Sequence, residues 1–174
     1  MTVQDFLAWA EGQQGRYELV DGEPLRMAPE RALHNVVKGL VFIALRNAVR
    51  ESKLPCQVFT DGMTVQISET VSREPDAAVQ CGVKQDMEAT ILTAPLIVVE
   101  VVSPSNAKTD TTVKLAEYFS VATIEHYLIV VPDIPAVIHH QRDGDCIQTR
   151  IHKAGAVKLD PPGLYLPIVE FWPE

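Results

Sequence analysis

The near-continuous apolar run at residues 96–103, LIVVEVVS, constrains the fold of this chain more than any other segment. A β-branched run bounded by Pro95 and Pro104 reads as a strand covered on both faces. Two covers require a sheet with layers on each side of it. Glu100 stands in the middle of that run. A carboxylate in a buried strand is costly unless it is paired, protonated or bound to a metal. The two-residue period places Leu96, Val98, Glu100 and Val102 on one face. Two readings of Glu100 are level at this point: an acid that serves a metal or a reaction, and one half of an ion pair with a neighbouring Lys or Arg.

The rest of the chain supplies the layers. Residues 2–13 read as a short helix with Thr2 as N-cap. Residues 16–21 alternate as a strand, and Asp21-Gly22 turns the chain into a partner at 23–28. Residues 31–53 form a long helix with Leu33, Val36, Val37, Leu40, Ile43, Ala44 and Ala48 as its apolar side. Its cations are expected opposite. Residues 57–60 and 63–68 are expected to pair as a hairpin around Asp61-Gly62. A short strand follows at 75–80, a polar connection at 81–94, a helix at 109–121 and a second buried strand at 125–131. Strands at 136–140 and 145–152 pair around Asp143-Gly144, and Asp160-Pro-Pro-Gly163 is a turn. Strand pairs followed by strand–helix–strand predict an α/β (α+β) fold, a mixed sheet flanked by helices. The length suits one domain spanning 1–174.

Net charge is −8, which argues against a nucleic-acid partner, because phosphate contacts rest on Lys and Arg. The distribution softens that objection: residues 31–53 carry Arg31, Lys38, Arg46, Arg50 and Lys53 against one acid, Glu51. This face is either a solvated helix surface or the wall of a DNA channel. No apolar run reaches the length of a membrane span, and the N-terminus lacks signal-peptide character, so no membrane partner is expected. Cys56, Cys81 and Cys146 are odd in number and widely spaced. They are expected to be unpaired thiols in a reducing, cytoplasmic setting.

Asp76 follows Pro75 and precedes Glu100 by 24 residues. Alone it signals little. On strands beside one another, however, two acids can hold a hard divalent cation and leave positions open for water and phosphate. Asp110 and Lys114 have the i, i+4 spacing of an ordinary exposed helix ion pair, and Tyr118 lies one turn further on the same face. Glu18 reads equally as an outward strand acid. His34 reads first as a capping or surface residue.

Taken together, Tyr17-Glu18-Leu-Val-Asp21-Gly22, His34, Pro75-Asp76, Pro95-Leu-Ile-Val-Val-Glu100-Val-Val-Ser103-Pro104-Ser105, Asp110, Lys114, Tyr118 and Glu125-His-Tyr-Leu-Ile-Val resemble a known pattern. It is that of the PD-(D/E)XK, or restriction-endonuclease-like, superfamily. Within it the chain resembles a bacterial family of uncharacterised restriction-endonuclease-like proteins. The resemblance implies Asp76, Glu100 and the backbone carbonyl of Val101 as ligands of Mg2+, with Mn2+ as a substitute. It implies Glu18, His34 and Tyr118 in support. It also implies a catalytic lysine two residues after the glutamate, where this chain has Val102. In the closer family that role moves to the following helix, at the position of Lys114. Arg31, Lys38, Arg46 and Arg50 are then candidates for contacts to DNA. The expected activity is an Mg-dependent endonuclease acting on DNA, as a homodimer. Two rivals accompany it: an inactive nuclease-fold module for protein contacts or regulation, and a hydrolase of small phosphodiesters.

Overall fold

The protein is described from a computed structural model covering residues 1–102 and 107–173, with the side chains of residues 107–111 outside the description. Ser103, Pro104 and Ser105 and the side chain of Asp110 therefore lie outside the described residues. In order, the described elements are α1 (Val3–Ala10), β1 (Tyr17–Val20), β2 (Glu23–Arg26), α2 (Ala32–Ser52), β3 (Cys56–Thr60), β4 (Val65–Gln66), β5 (Ser72–Arg73) and β6 (Ala77–Cys81). These are followed by β7 (Pro95–Val101), α3 (Ala107–Ser120), β8 (His126–Val131), β9 (Ala136–Asp143), β10 (Cys146–His152), β11 (Ala156–Leu159) and β12 (Leu164–Pro167).

The run at 96–103 is the spine of the molecule. As β7 it lies inside a six-stranded sheet of order β10-β9-β8-β7-β6-β3. It pairs antiparallel with β6 and parallel with β8, the connection between β7 and β8 passing through α3. Alternation then sorts its side chains. Ile97, Val99 and Val101 join Val37, Val41 and Leu45 of α2 and Val157 and Leu166 of the β11–β12 hairpin in one core. Val98 and Val102 join Tyr118 and Phe119 of α3 in the other. The fold is the expected mixed sheet between helices. A second sheet, β2-β1-β5-β4, brings Glu18 and Arg73 alongside the same end. Short α1, closed by a Thr2–Asp5 capping box, packs on it through Val3 and Phe6.

Several expectations are corrected here. The segments on either side of Asp61-Gly62 do not pair with each other. β3 pairs with β6, and β4 pairs with β5 in the other sheet. The turn is real, with Gly62 at φ 98°, a conformation that suits glycine. A tight turn, however, does not dictate the partners of the strands leaving it. The β3–β6 register sets Cys56 opposite Cys81, and the two form a disulfide, leaving Cys146 as the free thiol. That pairing removes the ground on which a reducing compartment was expected. α2 is long and apolar enough to cross a membrane by length and composition, contrary to the expectation that no segment is. In this fold its Val37–Val41–Leu45 stripe lies on the sheet, with Val36 and Ile43 exposed rather than on the buried side.

Candidate active site

Asp76 is placed by β6 and Glu100 by β7. The ladder ends with Ala77 opposite Val99, so the next step along the two strands sets Asp76 opposite Glu100. Directly opposed residues of an antiparallel pair share a face. Both carboxylates are buried, at 6% and 5% exposure, under the N-terminal part of α2 and the middle of α3. Val101 donates its N–H to Asp76 Oδ2 at 2.7 Å. A strand residue's C=O lies on the same edge as its N–H, so the Val101 carbonyl is on the Asp76 side.

Each carboxylate has its own ammonium group. Lys114 donates to Glu100 Oε1 at 2.9 Å and to Glu18 Oε1 at 3.1 Å. The Tyr118 hydroxyl, one helical turn on, donates to Glu100 Oε1 at 2.6 Å. The i, i+4 spacing of Lys114 and Tyr118 thus serves the buried side of α3 and is not confined to an exposed pair. Val102, where the superfamily lysine would stand, is 2% exposed and packed in the apolar core. No cation could have been accommodated there without displacing that packing.

On the Asp76 side the cation is Lys38, placed by α2. Its ammonium lies 2.9 Å from Asp76 Oδ1 and 2.7 Å from both Glu30 Oε1 and Asp61 Oδ2. Arg16 stands behind these anchors, 2.7 Å from Asp61 and 2.5 Å from Glu74. His34, one turn before Lys38, brings Nε2 to 3.6 Å from Asp76 Oδ2. Glu18 is not an outward acid. It is buried on β1, where it accepts from Arg73 at 2.9 Å and from the Glu74 N–H at 3.2 Å. Arg73 closes the ring with a two-pronged bond to Glu117 at 2.7 and 2.8 Å.

These contacts divide the pair electrostatically. Burial pushes the Asp76 carboxyl up, but His34, the Lys38 charge and the Val101 N–H together hold it below the ordinary carboxylate range. Burial pushes Glu100 up to about 8, the charges of Asp76 and Glu18 adding to it against the opposing Lys114. A buried acid raised by adjacent acids is a place where an added cation is stabilising. Among the described residues, Glu100 Oε2 accepts no hydrogen bond. The donors are hard oxygens, which suit Mg2+, Mn2+ or Ca2+ rather than thiophilic metals. Glu30, His34 and Asp76 also bring one ligand atom each within 4.8 Å of one another. The residues therefore fit a divalent ion.

The sequence-level candidates fare unequally. Asp76, Glu100, Lys114, Tyr118, Glu18 and His34 come together. Lys38, expected on an outward DNA-binding face, is 7% exposed and inside the site. On the helix it falls only about 20° from Leu45, so it borders the buried stripe. Arg31 is held by Asp133 at 2.5 Å. Arg46 and Arg50 are exposed, roughly 12 and 18 Å along the helix from Lys38, and do not reach the carboxylates. Arg73, Arg16, Glu30 and Asp61 were not singled out from sequence. The charged run Arg73-Glu74 directly before Pro75-Asp76 was the available signal.

A mixed sheet between helices, with two opposed carboxylates and a lysine brought in from the next helix, defines the restriction-endonuclease-like class. The chain belongs to the Uma2 family, described as "putative restriction endonuclease", whose model matches residues 3–167. An uncharacterised protein from Synechocystis is 25% identical over 167 residues, covering 94% of this chain and 87% of that protein. A crystal structure titled as a "putative nuclease" from Anabaena variabilis superimposes with a TM-score of 0.75 at 17% identity, over 98% of this chain and 97% of that one. That likeness shows the shared fold.

Proposed function

We propose that this protein is an Mg2+-dependent endonuclease that hydrolyses DNA phosphodiester bonds at Asp76 and Glu100. The observation that carries the reading is the opposed, buried carboxylate pair at the β6–β7 end, with a separate ammonium group on each member. Family membership supports the same chemistry. Asp76, Glu100 and the Val101 carbonyl would hold the ion, which supplies Lewis acidity toward the scissile phosphate and acidifies water at neutral pH.

The chain's own residues do the rest. Lys114, fixed between Glu18 and Glu100, presents positive charge where negative charge grows on the phosphate. Tyr118 orients Glu100 by its hydrogen bond, and burial and the Glu100 charge hold its hydroxyl well above the usual phenol range, so it stays a donor. Glu18 braces Lys114 from the far side, and Arg73 braces Glu18. His34 flanks Asp76. Arg46 and Arg50 extend outward along α2, where they would track the phosphate backbone and not the cut site. We further propose a homodimer, one site for each strand of the duplex, working in the cytoplasm.

The test is conversion of supercoiled plasmid to nicked and linear forms with Mg2+ or Mn2+, alongside EDTA controls and the Asp76→Ala and Glu100→Ala variants. Cleavage by wild type alone supports the proposal. Equal cleavage by both variants, or none by any protein, contradicts it. Hydrolysis of a chromogenic phosphodiester without action on plasmid would move the substrate from DNA to small diesters.

A further inference from the structure

Lys38 lies in an arrangement that looks like a coordination shell more than a salt bridge. An ammonium group has three N–H donors. Here they meet three carboxylates from three separate segments: Glu30 before α2, Asp61 in the turn after β3, and Asp76 before β6. Two of the contacts, to Glu30 and Asp61 at 2.7 Å, are hydrogen bonds, and Asp76 pairs with the same ammonium at 2.9 Å. The shell is secured from behind by Arg16, which pairs with Glu30, Asp61 and Glu74. Asp76 belongs to both this shell and the Asp76–Glu100 pair, so it bridges two cation positions.

Bridging by a shared carboxylate is how two-metal phosphodiesterases hold a second ion, about 3.5–4 Å from the first. Glu30, His34 and Asp76 already converge within 4.8 Å, a donor set that a divalent ion would accept. In this chain the ammonium of buried Lys38 already lies against two members of that set, Glu30 and Asp76.

We propose that Lys38 fills the second cation position of the site, so that the protein binds one divalent ion, at Asp76 and Glu100, where a two-metal relative would bind two. Lys38 is a positioning residue in this account. It fixes Asp76 and neutralises the shell without exchanging with solvent ions. This inference rests on the metal-dependent reading above, and its test reads metal stoichiometry, not cleavage.

Mn2+ binding to the full chain would be counted by electron paramagnetic resonance for wild type, Lys38→Met, and Lys38→Met combined with Glu30→Gln. One ion for wild type, two for Lys38→Met and one for the double variant are expected. One ion for both wild type and Lys38→Met overturns the role of Lys38 and leaves the nuclease reading standing. Two ions for wild type also overturn it. None for wild type but one for Lys38→Met overturns the proposal together with the metal-dependent reading on which it rests. No binding by any of them overturns both.

Should Lys38→Met fail to fold, wild type decides by 15N NMR of the lysine ammonium groups. A protected Lys38 signal that persists at saturating Mg2+ is expected, and its disappearance on saturation overturns the proposal.

Discussion

The six-stranded sheet buries ionisable side chains in two places, and the chemistry at each is opposite. At the β6–β7 end, Glu18, Asp76 and Glu100 face Lys38, Arg73 and Lys114, every one of them buried. Across β8 and β9 the buried group is made of neutral rings, His126, His139 and His140 with Tyr127, and half-buried His152 of β10 lies beside His139. His126 Nε2 lies 2.7 Å from the Pro161 carbonyl, which can only accept, so that nitrogen carries the proton. Its Nδ1 is therefore an acceptor for His139 Nε2 at 2.9 Å. Burial holds the four histidine rings below the usual histidine range, and His126 relays a hydrogen bond from His139 to Pro161, whereas His140 Nε2 and His152 Nε2 have no partner among the described residues. Burial, with the neighbouring His126, lowers His139 to about 3. One region sets buried acids against buried cations, with burial raising Glu100 among them, and the other keeps its rings uncharged. Matched charge at close range is what a metal and a phosphate can exploit. The neutral chain pins the Pro161 turn to the sheet and has no such use.

The largest effect that would sharpen this contrast is on turnover. Lys114→Met should lower the nicking rate about 10²-fold, the size seen when one preorganised electrostatic donor is removed. KM should change little, because the contact strengthens in the transition state. A large rise in KM at unchanged kcat would instead make Lys114 a ground-state binder.

Stability comes next. Arg73→Leu removes a cation from both Glu18 and Glu117, leaving half-buried Glu117 without its ion-pair partner and buried Glu18 with Lys114 as its remaining cation. A loss of about 3 kcal/mol in urea unfolding is expected. The equivalent change at His140, whose Nδ1 bonds Thr149 Oγ1 at 2.8 Å, should cost about 1 kcal/mol. Equal losses would erase the distinction between the two regions.

The two regions also respond to pH with opposite sign. The fold favours the protonated form of Glu100. Its contribution is present in full below the ordinary value of 4.5 and is lost as pH rises through about 8. Metal-free wild type should therefore lose stability across that window, and Glu100→Gln should flatten the profile. His139 is depressed, so its contribution is present above 6.5 and lost as pH falls toward 3. His139→Gln should flatten only the acid limb, the smallest of these effects. Urea midpoints measured from pH 3 to 9 check both.

How much of this was legible in the sequence depended on whether the signal was local. Glu100 stood out because an acid in an apolar strand needs a partner, and β7 carries it where expected. Lys114 and Tyr118 were legible as one helix face. Lys38 was not, because it sits at the edge of the buried stripe and its three acceptors lie at distant positions in the chain. The Cys56–Cys81 bond and the β3–β6 pairing were hidden for the same reason: they are set by a register between strands 25 residues apart, not by the Asp61-Gly62 turn between them. The β11–β12 hairpin, short and half exposed, offered only its Asp160–Gly163 turn.

The most direct measurement of the central claim is iron-directed cleavage of the protein's own backbone. Fe2+ substitutes at oxygen-rich Mg2+ sites, and with ascorbate and peroxide it cuts the chain beside itself. The account predicts fragments ending near Asp76 and near Glu100–Val101, suppressed by excess Mg2+ and absent in Asp76→Asn. Cuts confined to β8–β10 around His126 and His139, or no cuts near β6 and β7, would contradict it.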